Sequence, residues 1–508
     1  MRSLLSVLLG LTGVCGVSAQ QVYKSYPAPV MTEEVQALKN ASVLWKSRNN
    51  ATPLPASVDN SLNKYFPPVF SQLGGSCAQS SGIRYLFTYE MNRVLGRPAD
   101  IPANIFSYFY TWNFINEGKD QGGFAEEGLS IARNCGVMSL AEFPDQSSAY
   151  AFRWMSGYDK YIRAMHYRVS NVLTLEVTNQ EGIDNLKRYL YNEGNGGHLV
   201  TYSANAQNWK INDHYTGPSQ TGYKSLLTQL ATEGAHAMTI VGYDDTVEFM
   251  SPSGLTYGAF IVVNSYGEWF HDKGRYYLPY YFFLQERASN LLSHNVTGME
   301  ATYHTPKLIF KMKVSYNSRN DLAVLIGAAD KPYAESPSVS FPSSIINNQG
   351  GDHPMQGAYE GNDLEIAFDA SSLVSKMEGF KEPKFFLSVV RSQRGTLGSG
   401  VINHFSVLDY REDPKNPKEY VCRDIQNTEL LTGTNLFTIA TTPLLVTSAS
   451  GFSWMDAMQQ LYQTTFVVRT AKGRYAKMQF LEYDKGAGKV KIKYLYQPDG
   501  SQNLKSVL

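Results

Sequence analysis

The chain has 508 residues with 45 Lys+Arg against 45 Asp+Glu, and no basic run favours nucleic acid or an anionic membrane as partner. Hydrophobic residues make up 43% and charged residues 18%, which excludes a disordered composition. At ~100–200 residues per domain the length implies about three domains, and 13% aromatics, with 34 Tyr, suit β-structure.

The N-terminus has the pattern of a secretory signal. Arg2 is the positive n-region, Leu4 to Val14 is a short apolar core, and Val17-Ser18-Ala19 is a small-x-small cleavage site. The expectation is a signal peptide over residues 1–19 and a secreted, periplasmic or cell-surface protein, with a lipid anchor on Cys15 as the alternative. No later stretch approaches the ~20 apolar residues of a membrane span. Cleavage leaves Cys77, Cys135 and Cys422, an odd number that guarantees a free thiol and is too small for a disulfide scaffold.

Residues 20–52 read as a short N-terminal pro-segment or linker, with a weak helical pattern from Met31 to Trp45. Pro53, Pro55, Pro67 and Pro68 then impose an extended lead-in to the Gly-rich turn Leu73-Gly74-Gly75-Ser76. Cys77 opens a helix in which Ile83, Leu86, Phe87, Met91, Val94 and Leu95 recur at spacings of three and four before Gly96. Further helical segments follow at Ile105–Ile115, Ala125–Asn134 and Ile183–Tyr191. Strands are expected at His198–Ser203, Met238–Tyr243, Ala259–Asn264 and Arg275–Pro279, with a turn-rich stretch between Tyr243 and Gly258. Helices first and sheet second predict an α+β domain over 53–300. Beyond Ala301, short strands separated by Gly, Pro, Asn and Asp predict a β-sandwich-like domain over 301–425. A small β-rich domain over 426–508 ends in a meander of Gln463–Thr470, Tyr475–Tyr483 and Lys489–Gln497.

A thiol in the first turn of a helix faces unpaired N–H groups and the positive end of the helix dipole, and both favour the nucleophilic thiolate. Such a nucleophile needs a base, and the base needs an orienting partner. Of nine histidines, His236 stands out: Gly234-Ala235-His236-Ala237 opens a buried-looking strand, with small neighbours that let another group approach. Asn264 ends the next strand. If the two strands form a hairpin, His236 and Asn264 share one edge of the sheet. No clustered Cys/His spacing suggests a metal, and no cofactor is expected.

These residues resemble the signature of the papain-like cysteine peptidases: Gln72, Gly75-Ser76-Cys77, Ala235-His236-Ala237 with Val241-Gly242-Tyr243, and Asn264-Ser265-Tyr266-Gly267 followed by Trp269. Gly122-Gly123 resembles the family's substrate-binding pair, and Leu54 to Asp59 the start of its mature domain. The resemblance covers about residues 53–290 and implies a papain-like domain with a helical half and an antiparallel β half. It implies Cys77 as nucleophile, His236 as base, Asn264 as its orienting partner and Gln72 as oxyanion donor. Gly122, Gly123, Ala235 and Trp269 would bind a protein or peptide substrate. Gln72 stands five positions before Cys77, one fewer than in the family, and Ala78 and Tyr266 replace two tryptophans. Phe466 to Lys477 bears a faint likeness to the HmuY-like haem-binding β-proteins of bacteria, but residues 405–508 contain no histidine. The C-terminal β-modules are therefore expected to dock a surface or ligand. The function implied is a secreted, bacterial cysteine endopeptidase; the rival expectations are an inactive binding protein of the same fold and a thiol acyltransferase or amidase using the same three residues.

Overall fold

The computed structural model describes residues 26–48, 51–146, 152–285 and 294–497, the last without 333, 344–346, 348, 356–362, 393–397, 423–424, 443, 447–464, 471–472, 485 and 488, together with residue 504. The signal peptide, Cys15 and the meander's connector residues Ala471, Lys472, Lys485 and Gly488 lie outside the described residues. No helix among the described residues is long and apolar enough to cross a membrane.

The architecture is α+β, with the helices concentrated before residue 200 and sheets dominating after it. The helical run that begins at Cys77 has three parts: an α turn, Cys77–Gln79, a π-helical stretch, Ser80–Phe87, and an α-helix, Thr88–Leu95. Gly96 stops it with φ +67°, a left-handed conformation that glycine adopts at no steric cost. Ile83, Leu86, Phe87 and Met91 are fully buried, as their spacing requires; Val94, predicted on the same face, is 48% exposed because the helix leaves the core in its last turn. The backbone of Gly82 passes so near the helix Ala125–Cys135 that an added Cβ would lie 3.2 Å from the Ala125 Cβ.

The helices lie against a ten-stranded sheet. Its order is Val43–Leu44, Tyr167–Glu176, Asn295–Tyr303, Val200–Asn205, Ala235–Ser251, Gly254–Val263, Arg275–Pro279, Leu226–Gln229 and Lys210–Asn212, with Ser57–Asp59 paired separately to Ala235–Ser251. Two sequence expectations need correction here. Tyr167–Glu176 is a ten-residue strand that the sequence did not announce, because its burial does not alternate cleanly. The stretch between Tyr243 and Gly258 is not a turn-rich connection: the strands Ala235–Ser251 and Gly254–Val263 form one long antiparallel hairpin that turns only at Pro252 and Ser253. Register shifts between Ile240 and Gly242 and between Asp244 and Glu248 interrupt its alternation and disguise it.

Residues 26–48 wrap around this half. The helix Glu33–Asn40 is capped by the Thr32 hydroxyl, which accepts from Val35 N, and its Lys39 pairs with Glu126 at 3.3 Å. Val43 and Leu44 then add a parallel edge strand beside Leu173 and Thr174.

In the C-terminal half, Leu364–Asp369, Leu308–Tyr316, Gly400–Asp409 and Lys418–Val421 form one sheet, with Thr428–Glu429 beside Gly400–Asp409. Val339–Pro342, Leu322–Ala329, Lys384–Arg391 and Gly433–Ala440 form a second. Phe310 of the first meets Phe385 of the second edge-on at 5.8 Å in the shared core. A last sheet joins Leu444–Val446, Thr465–Arg469, Tyr475–Asp484 and Lys489–Gln497.

Candidate active site

The site lies where the central helix starts and the long hairpin opens. Ser81 Oγ donates to the Met238 carbonyl at 2.7 Å and meets Thr239 Oγ1 at 2.8 Å, and Tyr85 donates to the Asn264 carbonyl at 3.2 Å. These bonds fasten the first turns of the helix to both strands. Thr239 pairs with Val263 across the hairpin, so His236 near one strand's start and Asn264 just past the other's end reach the same edge.

His236 Nε2 lies 2.8 Å from Asn264 Oδ1, and both residues are buried. The direction of that bond follows from a third group. Ser265 N–H donates to the same Oδ1 at 2.7 Å, and a backbone N–H can only donate, so that atom is the oxygen. His236 Nε2 must then carry the proton, and Nδ1 holds the ring's lone pair. Asn264 Nδ2 is buried without a hydrogen-bond partner among the described residues, a cost accepted for this orientation. The imidazole is held from two further sides. Tyr266 stacks on it at 4.5 Å and 19°, and Trp209 meets it edge-on at 6.4 Å.

Cys77 is buried in contact with Ala78 and Ala237. Burial pushes its thiol up, against the pull of the Ala237, Ala78 and Cys77 backbone N–H groups. Burial likewise lowers His236 to about 4, against the bond to Asn264. Both directions favour a neutral thiol and a neutral imidazole, where the resemblance implies a charged pair.

Gln72 is fixed at both ends of its amide. Ser265 Oγ donates to its Oε1 at 2.6 Å, and its Nε2 donates to the Gly74 carbonyl at 2.9 Å, which leaves one amide hydrogen for another acceptor. Its backbone N–H donates to the Ser265 carbonyl at 2.8 Å, so the turn before Cys77 is tied to the segment after Asn264. Gly122 stands beside the same turn: a Cβ on Gly75 would come within 2.6 Å of the Gln121 carbonyl carbon and 2.9 Å of the Gly122 nitrogen, whereas Gly123 lies against Glu127 and Ile115. Trp269 is 51% exposed next to Gly267, and Ala235 is half-buried beside His236. The structure therefore joins His236 to Asn264, ties Gln72 to Ser265 after it, and sets Cys77 against Ala237 next to His236, with Gly122 against Gly75 and Trp269 exposed.

Two residues escaped the sequence reading. Asp120 Oδ1 accepts from Gly75 N–H at 2.8 Å, and its Oδ2 accepts from the Tyr26 hydroxyl at 2.8 Å. Tyr26 in turn makes an antiparallel β-bridge to Ala235. The segment before the first helix thus touches both sides of the site. No sequence pattern marks Asp120 or Tyr26 for these roles.

No protein-family model matches the chain, and no curated protein does. Among solved structures it is similar to xylellain, a cysteine protease from Xylella fastidiosa, at 16% identity, covering 54% of this chain and 95% of that one with a TM-score of 0.37. It is also similar to procathepsin B S9 from Trypanosoma congolense (15% identity, 55% of this chain and 86% of that one, TM-score 0.36) and to bromelain from Ananas comosus (17%, 49% and 99%, 0.32).

Proposed function

We propose that the chain is a secreted cysteine endopeptidase of papain-like fold. The observation that carries this reading is the buried bond from His236 Nε2 to Asn264 Oδ1, which leaves the Nδ1 lone pair to serve as a base for the helix-initial Cys77, whose packing neighbour Ala237 follows His236 in the strand. In this reading Nδ1 takes the thiol proton and the sulfur attacks the scissile carbonyl carbon. The tetrahedral oxyanion accepts from the Cys77 N–H and from the remaining hydrogen of the Gln72 amide, where one such donor is worth about 10²–10³ in rate. Collapse breaks the C–N bond, and the imidazolium returns its proton to the leaving amine. Water, deprotonated by the same nitrogen, then cleaves the thioester.

An extended substrate would pair along Gly122 and Gly123 on one side and Ala235 on the other, with Trp269 at the rim. In this reading residues before the first helix act as a pro-segment, with Tyr26 spanning the site from Ala235 to Asp120. That cover accounts for the neutral pair, because a dry site disfavours both charges. The sandwich-like C-terminal modules serve as docking modules.

The test is labelling with a thiol-reactive epoxide together with casein digestion, comparing wild type with Cys77→Ala. Labelling and digestion that both vanish in the variant are expected. Labelling without digestion would move the assignment to acyl transfer, and absence of labelling after removal of the N-terminal segment would leave an inactive binding protein.

A further inference from the structure

Tyr26 is a residue of this chain lying where a substrate residue would lie, so what holds it describes what the site selects. Its backbone pairs with Ala235, immediately before His236. Its phenol crosses to the opposite wall and donates to Asp120, whose other oxygen accepts from Gly75, two residues before Cys77. The side chain is half-buried, and both its anchors adjoin the site: Ala235 precedes His236, and Asp120 holds Gly75, two residues before Cys77. Asp120 itself is exposed at the rim and remains reachable once Tyr26 leaves. The bond to Gly75 fixes one of its oxygens and turns the other towards the incoming side chain.

We propose that Asp120 is a specificity-determining residue, selecting at the position filled by Tyr26 a substrate side chain that ends in a hydrogen-bond donor. Tyr, Lys and Arg carry a donor at that reach; Phe, Leu and Met do not. The inference rests on the peptidase reading above. The chemistry is that of a donor meeting an ionised acceptor at the edge of a site that closes over it. The substrates it implies are proteins cut beside phenolic or cationic residues, and the pro-segment holds the site by offering the same group.

The experiment uses the full-length chain and the same chain carrying Tyr26→Phe, each with Asp or Asn at position 120. Two readouts are taken. The first is the rate of Cys77 labelling by the epoxide. Tyr26→Phe is expected to raise it about tenfold with Asp120 present, and to add little once Asp120→Asn has already broken the bond. The second is kcat/KM on matched peptides differing only beside the scissile bond, Tyr against Phe and Lys against Met. Ratios of about tenfold are expected with Asp120, falling towards one with Asp120→Asn. The ratio cancels any common loss from disturbing Gly75. Additive effects in the first readout, or ratios that Asp120→Asn does not move, overturn the proposal while the peptidase reading stands. Peptides left intact by a labelled thiol overturn both.

Discussion

His236 is the residue on which the site turns, and its burial has a measurable consequence. An imidazole lowered to about 4 in the folded chain, against about 6.5 unfolded, is a group the folded state keeps neutral. Its contribution is fully present above the unfolded value and is lost as pH falls from about 6.5 towards 4. The magnitude is on the order of 3 kcal/mol, by the conversion of 1.36 kcal/mol per pKa unit. Denaturant titrations of wild type at pH 7 and pH 4.5 should differ by that order, and His236→Gln should flatten the difference. An equal slope in the variant would assign the acid sensitivity to another group. The residues of this site were legible because each sits in a short local pattern: a thiol after a glycine turn, a histidine between alanines at a strand start, an asparagine at a strand end. Asp120 was not, since a carboxylate that accepts from a backbone N–H 45 positions away has no sequence pattern.

At the scale of elements, the site depends on how closely two glycine segments approach. Gly75 has no need of a left-handed backbone; its lack of a side chain is what lets the turn before Cys77 rest on the backbone of Gln121 and Gly122. Gly75→Ala places a methyl within 2.6 Å of backbone that cannot rotate away. It should cost about 1–3 kcal/mol of stability, by overpacking, and also abolish epoxide labelling if the turn moves. Thermal unfolding and labelling of one preparation would separate the effects, and an unaltered midpoint would mean that the wall yields freely. The longer helices of the first half and about half of the strands were readable from periodicity, but the short helices Tyr158–Ala164 and Ser371–Lys376 were not. What periodicity cannot carry is a helix whose hydrogen bonds slip to π spacing over Ser80–Phe87, or a hairpin whose bulges break the alternation after Tyr243. The crossing by Tyr26 is a single bridge and leaves no period at all.

Across the whole molecule, the two halves are clamped at Asp369. Its carboxylate accepts from Arg168, in the sheet of the first half, at 2.6 Å and pairs at 2.7 Å with Nε2 of His304, just past the strand Asn295–Tyr303 of the same sheet. Burial alone would raise its pKa; the bond to His304, the charge of Arg168 and the bonds from Ser371 outweigh that and hold it below the usual carboxylate range. Stability from this group is therefore present above the ordinary carboxylate value near 4 and is lost as pH falls through the lower folded value. Asp369→Asn keeps the shape but strands a nearly buried Arg168, a loss of about 3–5 kcal/mol for a broken buried pair. Calorimetry should then show the single unfolding transition divide in two, with the C-terminal half released first. One unshifted transition would mean that other contacts govern the junction.

The route of residues 26–48 also fixes how much of the proposed pro-segment a cut can remove. A cut between Pro27 and Thr32 frees only the piece that crosses the site, because beyond it the helix Glu33–Asn40 is held by the Lys39–Glu126 pair and Val43–Leu44 is woven into the sheet as an edge strand. Intact-mass measurement on the matured protein should thus find a new N-terminus ahead of Glu33. Trimming past the helix and into Val43–Leu44 would expose Tyr167–Glu176 as a raw sheet edge open to aggregation.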